Sequence, residues 1–109
     1  MRVQSLANIE RLSNAVLTQM AIEGKLDLVE ADHAFCLRAY DRYKGLAATD
    51  KTRVQAVVAA CHKSNYFVYG GARVHVGEDG VRRVGRVYRL SSEGVKVYYA
   101  QILRFDQES

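Results

Sequence analysis

The chain has no proline, no tryptophan, only two cysteines and no long apolar run. Each shortage narrows the reading. Without proline, the breaks between elements fall to Gly, Asp, Asn and Ser. Cys36 and Cys61 both lie on the apolar sides of expected helices, and they read as small buried hydrophobes in a reducing compartment. No stretch approaches the roughly 20 apolar residues of a membrane span, and the N-terminus lacks a signal-peptide core. The expected location is therefore the cytoplasm, away from membranes. His33-x-x-Cys36 and Cys61-His62 come nearest to a metal motif. Adjacent helical residues such as Cys61 and His62 point about 100° apart, so no metal is expected. No glycine-rich phosphate loop precedes a helix, and no Ser or Cys has the setting of a nucleophile. The chain is accordingly expected to be no enzyme and to carry no cofactor.

What remains is a basic, globular composition. With 109 residues, 49% apolar and 26% charged, the chain is long enough to bury a core as one domain. The net charge of +4 is uneven: residues 65–104 hold seven Lys or Arg against three acids, whereas residues 1–64 hold nine against seven. A local excess of this kind favours polyanions or acidic protein surfaces. The acidic tail at 106–109 is expected to fray.

Three helices are expected first. Residues 4–22 carry Leu6, Ile9, Leu12, Ser13, Val16, Leu17 and Met20 at helical spacing, and Gly24 suits the left-handed position after a helix. Asp27-x-x-Glu30 has the form of a capping box, so a second helix is expected from Asp27 to Gly45. Its buried arc, with Leu28, Phe35, Cys36, Ala39 and Tyr43, contains Asp32, which on an apolar face reads as an ion pair with a strand arginine or a rim position, with a functional acid as the alternative. The third helix starts at Thr49 or Asp50 and runs to about Lys63, with Val54, Val57, Val58 and Cys61 inward. Its other face, with Lys51, Thr52, Gln55, Ala56, Ala59 and Lys63, is small, polar and basic.

Residues 66–105 then read as three antiparallel strands, rich in Val and Tyr and broken at Gly77-Glu78-Asp79-Gly80 and Ser91-Ser92-Glu93-Gly94. The fold expected is α+β, three N-terminal helices (1–64) followed by a three-stranded antiparallel β-meander (65–105). The middle strand carries Arg82, Arg83, Arg86 and Arg89, with Gly85 permitting a bulge. Gly70-Gly71 marks another bulge or bend. In the last strand, Val95, Val97, Tyr99, Leu103 and Phe105 share the face expected to pack on the helices. Tyr98, Ile102 and Arg104 belong to the opposite face, expected to meet a partner.

The basic, aromatic strand region is the strongest functional signal. Arginine forks suit phosphate oxygens, and tyrosine stacks on bases. The run from the third helix through Asn65-Tyr66-Phe67-Val68 to Tyr88-Arg89-Leu90-Ser91-Ser92-Glu93-Gly94 resembles a winged-helix domain over residues 49–94. In that family a recognition helix is followed by two wing strands, the second often ending Tyr-x-Leu-Ser/Thr-x-x-Gly. The resemblance implies a DNA-binding regulator. It would make Lys51, Gln55 and neighbouring helix residues the readers of the major groove, and Arg82, Arg83 and Arg86 the wing contacts. Arg89 and Lys63 complete the expected nucleic-acid set. DNA is expected ahead of RNA, and a homodimer is compatible. A second expectation is a small interaction or inhibitor protein of mobile-element or phage type, docking on a host protein or nucleoprotein. A fainter resemblance, to small endoribonuclease toxins, would cast Arg83, Arg86, Arg89 and Tyr99 in RNA cleavage.

Overall fold

The first helix begins where Ser5 accepts a hydrogen bond from the Asn8 amide at 3.1 Å. The computed structural model describes residues 5–108. Its elements are α1 (Leu6–Glu23), β1 (Asp27–Val29), α2 (His33–Tyr43), α3 (Asp50–Lys63), β2 (Phe67–Val76), β3 (Arg82–Leu90) and α4 (Ser92–Glu108). The class is α+β with one antiparallel sheet of order β1-β3-β2. The order of elements differs from the expected helices-then-meander, at both ends of the sheet.

In α1 the buried stripe starts at Ile9; Leu6 is 84% exposed, and Gln4, expected inside this helix, lies outside the described residues. Gly24 takes the left-handed cap, and Lys25 N–H bonds back to Met20. Leu12, Val16, Leu17 and Met20 then pack with Phe35, Cys36, Val57, Val58, Phe67 and Tyr88 in the main core.

The capping box expected at Asp27 does not form. Asp27, Leu28 and Val29 pair instead with Arg89, Tyr88 and Val87. A strand sends successive side chains to opposite faces. Leu28 thus enters the main core, while Val29 joins Ala31 and Val87 in a smaller cluster. Burial on both faces outweighs two capping hydrogen bonds at a surface. The helix begins later, with Asp32 as its cap, accepting from Phe35 N–H at 3.3 Å. This shortens α2 to 11 residues. It also accounts for the buried carboxylate. Asp32 is 6% exposed and lies 3.6 Å from Lys25 Nζ and 3.8 Å from His75 Nε2.

The last expected strand is α4. Its inward residues are Gly94, Val97, Tyr98, Gln101, Ile102 and Phe105, the i, i+3, i+4 pattern of a helix. The same stretch also alternates, so periodicity alone favoured neither reading. Ser91 decides it locally: its Oγ accepts from Gly94 N–H at 3.1 Å, and Val95 N–H bonds to Ser91 O at 2.9 Å. The supposed turn is a helix N-cap with Glu93 in the first turn, where an acid offsets the helix dipole. Asp106 and Gln107 continue that helix rather than fraying.

The bulge falls at Gly70-Gly71, between Tyr69 and Ala72, and Gly71 has φ +94°. None occurs at Gly85, which faces Glu30 and Ala31 so closely that a Cβ would lie 2.9 Å from Ala31 N. Gly94 is the tighter case, since a Cβ there would collide with the Tyr66 carbonyl. Gly94→Ala is therefore expected to cost about 1–3 kcal/mol, the usual range for overpacking. Val95→Ala, on the exposed side of the same turn, should stay near neutral. Denaturant melts of the two variants check this; equal stabilities would contradict the close docking of α4.

Candidate nucleic-acid interface

Two elements carry the cations singled out from sequence, α3 and the β2–β3 hairpin. Thr49 and Thr52 close α3 with a reciprocal cap, each backbone N–H bonded to the other's hydroxyl at 3.2 Å. Val54, Val57, Val58, Ala60 and Cys61 hold its inner side in the core. Lys51, Thr52, Gln55 and Lys63 are left exposed, with Ala56 and Ala59 half-buried between them. Lys51 and Lys63 stand about 18 Å apart along the helix axis. Arg53 is committed elsewhere, donating to Ala47 O at 3.0 Å and to Asp50 at 3.3 Å.

The hairpin arginines fall into two kinds. Arg83 forks onto Asp79 at 3.2 and 2.9 Å, and this bond holds the Asp79 carboxyl at about 2. Arg86 binds Glu30 through Nε and Nη2, both at 3.2 Å, while its backbone N–H donates to the same carboxylate at 2.8 Å. That guanidinium lowers the Glu30 pKa. Arg82 and Arg89 are exposed and enter no ion pair among the described residues. Neither Glu30 nor Asp79 was anticipated as a counter-charge. The Asp79–Arg83 spacing was a visible signal, but Glu30 reaches Arg86 only through the β1–β3 pairing.

Between α2, the start of α3 and the hairpin lies an open groove of about 1060 Å³. Lys51, Gln55, Arg83, Val84, Ala34 and Leu37 line it, together with the acids Glu30, Asp50, Glu78 and Asp79. The fold thus gathers Lys51, Gln55 and Arg83 at one groove, and Arg82, Arg86, Arg89 and Lys63 do not line it. Arg38 braces the hairpin tip. It forks onto Glu23 at 2.8 Å twice and reaches Glu78 at 3.0 Å, joining α1, α2 and the turn. Sequence reasoning missed this residue.

Behind α3, His62 Nδ1 lies 2.8 Å from the hydroxyl of Tyr88, and their rings meet edge to face. Burial pushes the Tyr88 pKa up.

The expected partner residues on the last segment divide differently. Tyr98 is 3% exposed in the core and Ile102 packs against it, because i and i+4 share the inner face of α4. Arg104 remains exposed. The outward apolar residues are Val95, Tyr99 and Leu103. Tyr99 therefore stands on a helix and not beside the strand arginines, as an RNA-cleaving sheet would need.

Among the described residues, no three His, Cys, Asp or Glu side chains cluster as a metal site requires, and no helix is long and apolar enough to cross a membrane. No protein-family model, curated protein or solved structure matches the chain.

The Arg86–Glu30 pair has a pH signature. A carboxyl whose folded pKa is lowered stabilises the fold above its ordinary value, here 4.5, and that contribution is lost as pH falls through the lowered value. Glu30→Gln is expected to cost about 1 kcal/mol near neutrality, or roughly 4 °C in Tm, since the pair is partly exposed. The gap to wild type should close as pH drops from 6 to 3. Thermal melts across that range measure it, and a gap independent of pH would contradict the assignment.

Proposed function

We propose that the chain is a small winged-helix DNA-binding module, acting as a regulator, with α3 entering the major groove and the β2–β3 hairpin serving as its wing. The observation that carries this reading is the order of elements. A strand separates the first two helices, α2 is short, α3 leads directly into a two-stranded wing, and a helix follows. The strand between helices one and two and the terminal helix are both features of that family, and neither is evident from the sequence alone. The exposed face of α3, with Lys51, Thr52 and Gln55 in its first half, has the small and polar character a groove-reading helix needs. Arg82 and Arg89 supply backbone contacts from the hairpin. Val95, Tyr99 and Leu103, 39–62% exposed and one turn apart on α4, support a homodimer through that helix.

The free and the paired cations should separate in a salt series. Each phosphate contact adds about 0.9 to the slope of log affinity against log salt. Fluorescence anisotropy on a DNA duplex should give a steep slope for wild type. Lys51→Ala with Lys63→Ala is expected to reduce it by about 1.8, and Arg83→Ala by much less than 0.9. Absence of binding at low salt would remove the DNA reading.

One observation favours the second reading, docking on a protein or nucleoprotein partner as an inhibitor of mobile-element or phage type. Val74, Val76, Val81 and Val84 on the hairpin are 47–72% exposed, and Val74 faces Val84 across it. A phosphate backbone has no use for four valines. Val74→Lys with Val84→Lys is expected to leave duplex affinity equal or tighter if the hairpin only meets DNA. Retained duplex binding with loss of a partner captured by wild type from nuclease-treated lysate would favour the second reading instead.

A further inference from the structure

The outer edge of the sheet is open. β2 ends the strand order β1-β3-β2, so one side of its backbone pairs with β3 and no strand among the described residues pairs with the other. Hydrogen bonds fix which residues face outward. Gly77 N–H bonds to Val81 O at 2.9 Å, and on the β1 side Glu30 N–H bonds to Arg86 O at 2.8 Å. Opposed residues of an antiparallel ladder alternate between bonded and non-bonded pairs. The pairs Ala72–Arg86, Val74–Val84 and Val76–Arg82 are therefore the non-bonded ones. Ala72, Val74 and Val76 direct their N–H and C=O groups to the free edge.

That edge is unguarded. Open edges are commonly blunted by proline, lysine or an outward charge. Residues 72–76 contain neither proline nor lysine. The two polar side chains there lean back over the sheet, Arg73 onto Asp27 at 3.1 Å and His75 to 3.8 Å from Asp32. Val74 and Val76 stay 49% and 59% exposed. A row of outward backbone groups flanked by valines has the chemistry to take up another strand.

We propose that a second copy of the chain pairs with β2 along this edge, antiparallel about a two-fold axis at Val74. Register and charge select this occupant. A two-fold at Arg73 would set two guanidiniums opposite each other, which is destabilising. One at His75 would run Ala72 into the turn. At Val74, valine meets valine, and Ala72 meets Val76 of the second copy. The same axis sets Glu78 of the second copy opposite Gly70. Arg89 lies across that glycine, where a Cβ would be 3.2 Å from its Cγ and Nε. An exposed arginine with no ion pair among the described residues thus meets a carboxylate whose side chain stays 64% exposed beside Arg38. The contact is isologous, so this charge pair forms twice. The axis stands perpendicular to the sheet and leaves both α3 helices on one face of it. The contact holds independently of the DNA reading and is separate from the outward face of α4. In the dimer, the hairpin's phosphate contact rests on Arg82 rather than Arg89.

The test is sedimentation equilibrium of the full chain and its variants. Val74→Pro removes an outward N–H without breaking the ladder to β3, and Val74→Lys places a charge on an already exposed edge position. Both should weaken dimerisation at least tenfold while circular dichroism stays that of wild type. Arg89→Glu should weaken it too, and Arg89→Glu with Glu78→Arg should recover it, which a merely structural role for either residue does not predict. Tyr99→Glu on α4 should leave this step unchanged. An assembly larger than a dimer that Val74→Lys reduces to a dimer also supports the edge contact. Dimerisation lost in Tyr99→Glu and kept in both Val74 variants would overturn the proposal in favour of α4. A wild type that stays monomeric at its highest soluble concentration would overturn it as well, and would leave the edge to a strand of another protein.

Discussion

One buried tyrosine fixes how α3 and the hairpin stand to each other. Tyr88 on β3 is 1% exposed, lies opposite Leu28 of β1 and Tyr69 of β2, and meets the Tyr69 ring at 5.8 Å. Its hydroxyl belongs to a buried side chain and needs a partner, because an unpaired buried polar group costs about 1–3 kcal/mol. His62 on α3 provides it at 2.8 Å. A single side chain thereby joins all three strands to the proposed reading helix. A buried aromatic of this size contributes about 3–5 kcal/mol, most of it from packing. The hydroxyl adds little net energy but sets one rotation of α3 against the sheet. A helix that must present Lys51 and Gln55 beside a hairpin depends on that rotation.

The sequence was most legible where periodicity and caps agreed. In α3, the valine stripe, Thr49 and the break after Lys63 all point to one element, and the structure has it there. The hairpin was legible for the same reason, through alternation and the Gly77-Glu78-Asp79-Gly80 turn. The errors arose where two patterns coexist. Residues 95–105 satisfy both a two-residue and a helical period. What excludes a strand is a serine cap and a glycine that lets α4 seat against Tyr66, a tertiary contact no local pattern displays. Residues 27–30 likewise spell a capping box. Three residues are too short to announce a strand, and β1 exists only because β3 offers it an open edge.

The candidate site was legible in composition and not in state. The arginines could be counted, but their partners could not. Arg83 and Arg86 looked equivalent to Arg82 and Arg89 in the sequence. The structure separates them by what lies across the chain: Asp79 four residues away, and Glu30 brought up by β1 from 56 residues away. The basic character of α3 could be read because its exposed cations need no long-range partner.

This division changes what the positive charge can do. An arginine already bonded to a carboxylate must release it before binding a phosphate, so the exchange yields little. Arg38, Arg73, Arg83 and Arg86 belong to that class, and their partners show what they do instead. They tie the hairpin to its own turn, to β1, to the β1–α2 connection and to the end of α1. A two-stranded hairpin is marginal by itself, and these pairs fix the angle at which it projects. Exposed cations that enter no ion pair among the described residues include Lys51 and Lys63 on α3 and Arg82 and Arg89 on the hairpin. A net charge of +4 is modest, and much of the arginine is spent on positioning the hairpin rather than on an outward field.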